Sequence, residues 1–340
     1  MTKRSLQMLV VLALTVIART EIAPLPGEQA IRPLFEGADL VCFCSVQSVE
    51  ALGATIVPNL DGHERQPMDA VIKVGYVYKP STTNPVSATV QFEEGQLWRG
   101  ETAILFLKST SSEAYALADP FIGSTPFSSM PTSPQSPGLS GLESSLADLL
   151  QLLSRDDQIN AMKLLQGFDV LDADTSSRLI LLSGSKDPEI ALSALAVLLK
   201  GKNPADVSRL RTYLAGYPSD SGPIAVTSIG TELGQIRNSV ALPDIEALTD
   251  SKLISIRIGS MQALRAMRNT QSAQALVGRL DDPDGYVRYL AIISLAEIFG
   301  RYGDYAPNMH LFDQNPEYYI GLWRTWWKEE GKLAVKPGSQ

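Results

Sequence analysis

The sequence predicts a β plus α protein in two parts: a small N-terminal barrel or sandwich, then a helical solenoid of stacked helix pairs. Three observations carry this. Between Asp39 and Asp119 apolar residues alternate with period two and are rich in β-branched and aromatic types. Beyond Leu142 they recur with helical spacing. Within that second half Ile159, Ile190, Ile224, Ile256 and Val287 stand 31, 34, 32 and 31 residues apart. Units of that size, each with two helix-length apolar patterns, cannot bury their own faces and must stack on neighbours.

Residues 1–18, MTKRSLQMLVVLALTVIA, set Lys3 and Arg4 before an apolar run of about a dozen residues and end at a Val16-x-Ala18 site. That is the layout of a cleaved signal peptide, so the expected location is the periplasm or beyond the cell. A membrane anchor is the competing reading, but the run falls short of the roughly 20 residues a spanning helix needs. No later segment is long and apolar enough to span, so none is expected in the mature chain.

Residues 19–123 form the expected β-domain, with strands over Leu40–Val49, Ala70–Tyr78, Val86–Phe92, Thr102–Leu107 and Glu113–Leu117. In the second, Ala70, Ile72, Val74 and Tyr76 alternate with Val71, Lys73 and Gly75. Only two cysteines occur, so no disulfide framework holds the chain. Cys42 and Cys44, two apart on a strand, share a face where a bond between them would be strained. They read as buried small hydrophobes, or as two thiolates of a metal site needing further ligands from His63 and His310.

Residues 124–141, STPFSSMPTSPQSPGLSG, hold four prolines and many serines, which predicts an extended spacer. The solenoid follows over 142–300, opening on Leu142, Leu146, Leu149, Leu150 and Leu153. Residues 301–330 should cap it, leaving 331–340 as a tail. After Pro316, EYYIGLWRTWWKEE places Tyr319, Trp323 and Trp326 on one helical stripe, with Ile320 and Trp327 alongside. Pro316 and Glu317 suit a helix start. Two roles are open for this helix: an end cap, or an aromatic platform in which Trp323, Trp326 and Trp327 bind a peptide or glycan.

Overall composition is 44% apolar, and the net charge of −8 becomes −10 without Lys3 and Arg4. This disfavours nucleic-acid binding. Charge is uneven: residues 142–251 hold 9 Lys or Arg against 15 Asp or Glu, and residues 252–301 hold 7 against 4. In that basic end Arg265, Arg268 and Arg279 have no evident structural duty, which points to an acidic protein partner.

The unit AQALVGRLDDPDGYVRYLAIISLAEIFG, and before it LPDIEALTDSKLISIRIGSMQALRAM, each give helix, acidic turn, helix. This resembles a HEAT repeat, particularly the short bacterial subtype also seen in phycobilin lyases. The resemblance implies an armadillo-type α–α superhelix in which Arg257 and Arg288 hydrogen-bond the acidic turn of a neighbouring unit, with Asp250 and Asp282 as acceptors. Four residues after the phasing positions stand Ala194, Ser228, Ser260 and Ala291, small enough for helices to cross closely. Lys163, Leu164 and Glu232 depart from the pattern.

In the β-domain, ADLVCFCSVQSV, MDAVIKVGYVYKP and GETAILFLKS are similar to the small secreted barrels of the netrin and metalloproteinase-inhibitor type. In those inhibitors a Cys-x-Cys at the mature N-terminus ligates the protease metal. Here Cys42 lies about 23 residues inside the mature chain, so inhibition does not carry over.

No P-loop, dinucleotide fingerprint or nucleophile elbow is present, and Ser183 sits in a Gly/Ser turn. The dinuclear-iron hydroxylases on HEAT-like repeats need several His-Glu pairs, against the single His63-Glu64 here. Asp156-Asp157 and Asp281-Asp282 fall at turns, where they cap following helices. The expectation is a non-catalytic scaffold or adaptor without cofactor, binding a protein partner. A bilin-lyase-like enzyme or ligand binder, and an inhibitor acting through the β-domain, are the alternatives.

Overall fold

The computed structural model describes residues 31–335, except 53–56, 59–63, 82–84, 94–95, 112–113, 119–123, 129–130, 132–136, 153 and 219–224. The signal-peptide region, His63, Leu153 and Ile224 lie outside the described residues. Two compact units are distinguished. One comprises residues up to Ser145 with Lys163–Phe168, the other Leu146–Met162 with Asp169 onward.

In the first unit a short helix, α1 (Ile31–Gly37), precedes β1 (Leu40–Ala51), β2 (Pro67–Lys79), β3 (Ser87–Glu93), β4 (Thr102–Ser109), β5 (Ala114–Leu117) and β6 (Ser124–Phe127). All five expected strands form. β1 pairs antiparallel with β2 and with β4, β2 with β3, and β4 with β5, while β3 and β5 are parallel. The ring β1-β2-β3-β5-β4-β1 therefore closes into a five-stranded barrel in the Greek-key order of an OB-fold.

Leu40 to Cys44 and Ala103 to Leu107 are buried on both strand faces. That explains why LVCFC and AILFL read as continuous apolar runs rather than alternations. α1 packs on β4, and its C-terminal carbonyls are closed by one side chain. Lys79 donates from Nζ to the carbonyls of Phe35, Glu36 and Ala38 at 3.0, 2.7 and 2.6 Å.

β6 corrects the spacer expectation, because Ser124–Phe127 pairs with β4. Among the described residues its only strand partner is β4, so Pro126 sits on an edge strand, where a missing N–H costs nothing. Phe127 fixes it there, buried with its ring 5.6 Å from that of Phe43. No period-two signal could show this, because the strand is four residues long and contains a proline.

The helical region runs α2 (Leu139–Leu149), α3 (Arg155–Leu165), α4 (Ala173–Leu182), α5 (Pro188–Lys200), α6 (Pro204–Ala215), α7 (Ala225–Gly234), α8 (Leu242–Leu248), α9 (Ile254–Met267), α10 (Ala273–Gly278) and α11 (Gly285–Phe299). Ile159, Ile190, Ile256 and Val287 are buried on α3, α5, α9 and α11, the second helices of their pairs. Those second helices stack in order, α5 on α7, α7 on α9, and α9 on α11.

Side-chain caps start several helices. Asp187 accepts from the Glu189 and Ile190 amides, Asn203 from Ala205, and Asp284 from Tyr286 and Val287. Pro188 and Pro204 follow two of these caps, where an N–H would have no partner. Asp284 thus caps α11, rather than the Asp281-Asp282 pair expected from the sequence.

Ala194, Ser260 and Ala291 are fully buried as expected, but Ser228 is only half-buried. The closest crossing is made instead by Gly230 of α7 and Gly259 of α9. A Cβ on Gly259 would lie 2.2 Å from the Gly230 carbonyl oxygen, and one on Gly230 would lie 2.4 Å from that of Ser255. Only glycine at both positions lets these two backbones touch.

Candidate interaction surface of the repeat array

Charge along the array is organised repeat to repeat. Arg155 pairs with Asp187 at 2.6 Å and with Glu189, Arg178 with Asp148 at 3.1 Å, and Arg211 with Asp244 at 2.7 Å. Arg257 pairs with Asp282 at 3.0 Å, Arg265 with Glu297, and Arg279 with Asp250. Most of these partners lie about one repeat apart in sequence, as with the 32 residues between Arg155 and Asp187 and between Arg265 and Glu297. The Arg155 guanidinium holds the Asp187 carboxyl below its ordinary range.

The Arg257–Asp282 pair is the deepest, with Asp282's side chain fully buried and Arg257's one-tenth exposed. Arg257 also donates to the carbonyls of Ser251 and Lys252, at 2.9 and 3.2 Å, so it ties its own turn to the next. Arg288 does the first of these jobs only, donating to the Asp282 and Pro283 carbonyls at 2.8 and 3.2 Å. Asp250 is taken by Arg279, not by either phased arginine.

The sequence assigns Arg265, Arg268 and Arg279 no structural contact, and the structure gives each one. Arg279 donates to the Thr249 carbonyl at 3.2 Å, pairs with Asp250 and lies 3.7 Å from Asp282, which leaves it one-fifth exposed. It is part of the stack, and its place in an open basic patch is corrected. Arg265 donates from Nε to Glu297 at 3.0 Å, and Arg268 reaches the same carboxylate only at 3.9 Å while two-thirds exposed. Opposite charges one repeat period apart were the sequence signal that could have found these links.

Beside Arg265 stands a ring pair on α11, Tyr286 and Tyr289, with centroids 6.3 Å apart and planes within 25°. Tyr289 in turn packs on Phe312 of α12 (Met309–Gln314) at 5.7 Å. Tyr286 is exposed.

The aromatic helix α13 (Pro316–Trp326) ends in a π-turn over Trp327–Gly331. Trp323 and Trp326 are buried and Trp327 is half-buried. The Trp323 indole N–H donates to the Tyr305 carbonyl at 2.9 Å, and Trp326 packs on Phe299 at 4.7 Å. Arg301 lies over the rings of Tyr305 and Trp326, 5.3 Å from each. Trp323 and Trp326 therefore cover the last repeat and are not a platform. Tyr318 is the exposed ring of this helix.

In the barrel Cys42 and Cys44 are fully buried in one core cluster and unbridged. A hydrogen bond with Cys44, then burial, push the Cys42 thiol well above its ordinary range, which favours the protonated form. Among the described residues no three His, Cys, Asp or Glu side chains are grouped to hold a metal. Ser183 closes α4 as its C-cap. Asp157 takes part in the first turn of α3, where its amide meets the Ser154 hydroxyl.

Among the described residues no helix is long and apolar enough to cross a membrane. No curated protein matches the chain. Residues 219–296, whose described part runs from α7 into α11, match the family model for HEAT repeats. That match places HEAT repeats within the helical region, over helices whose second members stack in order.

Proposed function

We propose that the protein is an exported, non-catalytic scaffold that holds an acidic protein partner on the surface of its HEAT-repeat array. HEAT arrays work commonly as interaction surfaces, with binding spread over several units. The observation that carries the reading is the Arg265–Arg268–Glu297 cluster. Elsewhere along the array most arginines meet a carboxylate of their own, but here two share one, with Arg268 two-thirds exposed. Arg265 lies beside exposed Tyr286, and arginine and tyrosine are both enriched among the residues that carry binding energy in protein interfaces. Export rests on the layout of residues 1–18, with Arg19 the first mature residue.

The test is capture from cell-envelope and secreted fractions with residues 19–340 immobilised, repeated with R265E/R268E. A saturable partner that weakens at least tenfold on charge reversal supports the reading. A partner held equally well by both proteins removes the patch. Export is checked separately: N-terminal sequencing of the protein from its native cells should begin at Arg19.

A further inference from the structure

We propose that the cleft between the C-terminal ends of α6 and α8 binds a small amphiphilic anion, an apolar body carrying a carboxylate. The proposal goes beyond the scaffold reading and does not rest on it. The cleft holds about 390 Å³, within the range of small-molecule sites, which are mostly apolar with a few placed polar groups. Leu248 and Leu253, both buried, form its floor, and Leu214 and Tyr217 line the side towards α6.

Two cations stand among the lining residues. Arg211 is anchored by its ion pair to Asp244, which also accepts from the Ser208 hydroxyl. That pair uses Nε, and the guanidinium meets no other acceptor among the described residues although its side chain is half-exposed. Lys252 is exposed, and its side-chain ammonium makes no hydrogen bond or ion pair among the described residues. The charge of Asp250, which also lines the cleft, is met by Arg279.

The turn that carries Lys252 is fixed from behind. Arg279 holds the Thr249 carbonyl, and Arg257 holds those of Ser251 and Lys252. A preset wall, an apolar floor and two uncommitted donors suit a carboxylate attached to a hydrocarbon or ring. Charge-assisted hydrogen bonds would orient the carboxylate, and burial would hold the body. A bare inorganic anion would leave the floor unused, and a neutral apolar molecule would leave the donors unused.

The test is a fluorescence titration of the full chain with dansyl-leucine, against dansyl-leucinamide, which lacks the carboxylate. Saturable binding of the acid, at least tenfold tighter than the amide and displaced by decanoate, is the expected result. K252M and R211M should each weaken it about tenfold. Ala247 is an exposed lining residue, so A247F should block the site while leaving the circular dichroism spectrum unchanged. Absence of saturable binding, equal affinity for acid and amide, or binding unchanged in both K252M and A247F would overturn the proposal.

Discussion

The barrel and the repeat array face the same difficulty, an edge that must not be left open, and resolve it by opposite means. The barrel has β1 pairing on both sides, with β2 and with β4, so the backbone ladder closes on itself. The array cannot close. It ends instead under side chains, with Trp323 and Trp326 laid over the last repeat and Arg301 stacked on Trp326 and Tyr305. In the barrel order resides in the backbone, and in the array it resides in a few named side-chain contacts, so single substitutions should hurt the array more.

The largest effect should come from the cap. Trp323→Ala removes a fully buried indole and its hydrogen bond, at a cost of about 3–5 kcal/mol in urea unfolding followed by circular dichroism. Trp98→Ala in the barrel, at a ring 62% exposed, should stay within about 0.5 kcal/mol. Equal losses would break the comparison.

Next is the buried pair. Asp282→Ala strands Arg257, whose side chain is one-tenth exposed, and should cost about 3 kcal/mol. Asp250→Ala removes a carboxylate that is 69% exposed and should cost under about 1 kcal/mol. Reversal of that order would mean that the links between repeats are not graded by burial.

Two glycines should respond with opposite signs. Gly278→Ala meets nothing within 4 Å and should stabilise α10 by up to about 1 kcal/mol through helix propensity. Gly259→Ala has the same propensity gain but drives a Cβ into the Gly230 carbonyl, for a net loss of about 1–3 kcal/mol. Thermal midpoints moving in opposite directions would confirm that the α7–α9 crossing is set by backbone contact.

The smallest effects are those of pH. Arg155 lowers the folded-state value of Asp187, so this pair's contribution is present above about pH 4, the unfolded carboxylate value. It is lost as pH falls through the lower folded value. Asp206 and Glu246 have the reverse sign, because burial raises both. Their folded-state advantage is full below about pH 4 and is lost as pH rises through the raised values. Asp187→Asn should flatten the acid limb of the stability curve, and Glu246→Gln should flatten the fall above it. An unchanged acid limb in Asp187→Asn would remove the Arg155 link from the stack's energetics.

Much of this architecture was legible because burial is periodic. Alternation over residues 70–78 and the recurrence of Ile159, Ile190, Ile256 and Val287 state which face goes inward before any partner is known. β6 was hidden because four residues carry too little pattern. The pairings of Arg265 and Arg279 were hidden because charged residues on solenoid helices look alike until the neighbouring repeat is in place. Gly230 and Gly259 were passed over because glycine in a helix reads as a weak helix former, not as a contact.

The sequence alone determined the two periodicities, the five strands of the closed barrel in their chain order, the helix pairs that follow them, and the aromatic end of the chain. These follow from local backbone geometry, in which spacing dictates the buried face. The tertiary structure alone decided which arginine meets which carboxylate, which small residue takes the closest crossing, and that Trp323 and Trp326 are covered. A helical pattern fixes the direction a side chain faces, but not the rise and rotation of the next repeat against it. Those two quantities set which atoms come within hydrogen-bonding distance.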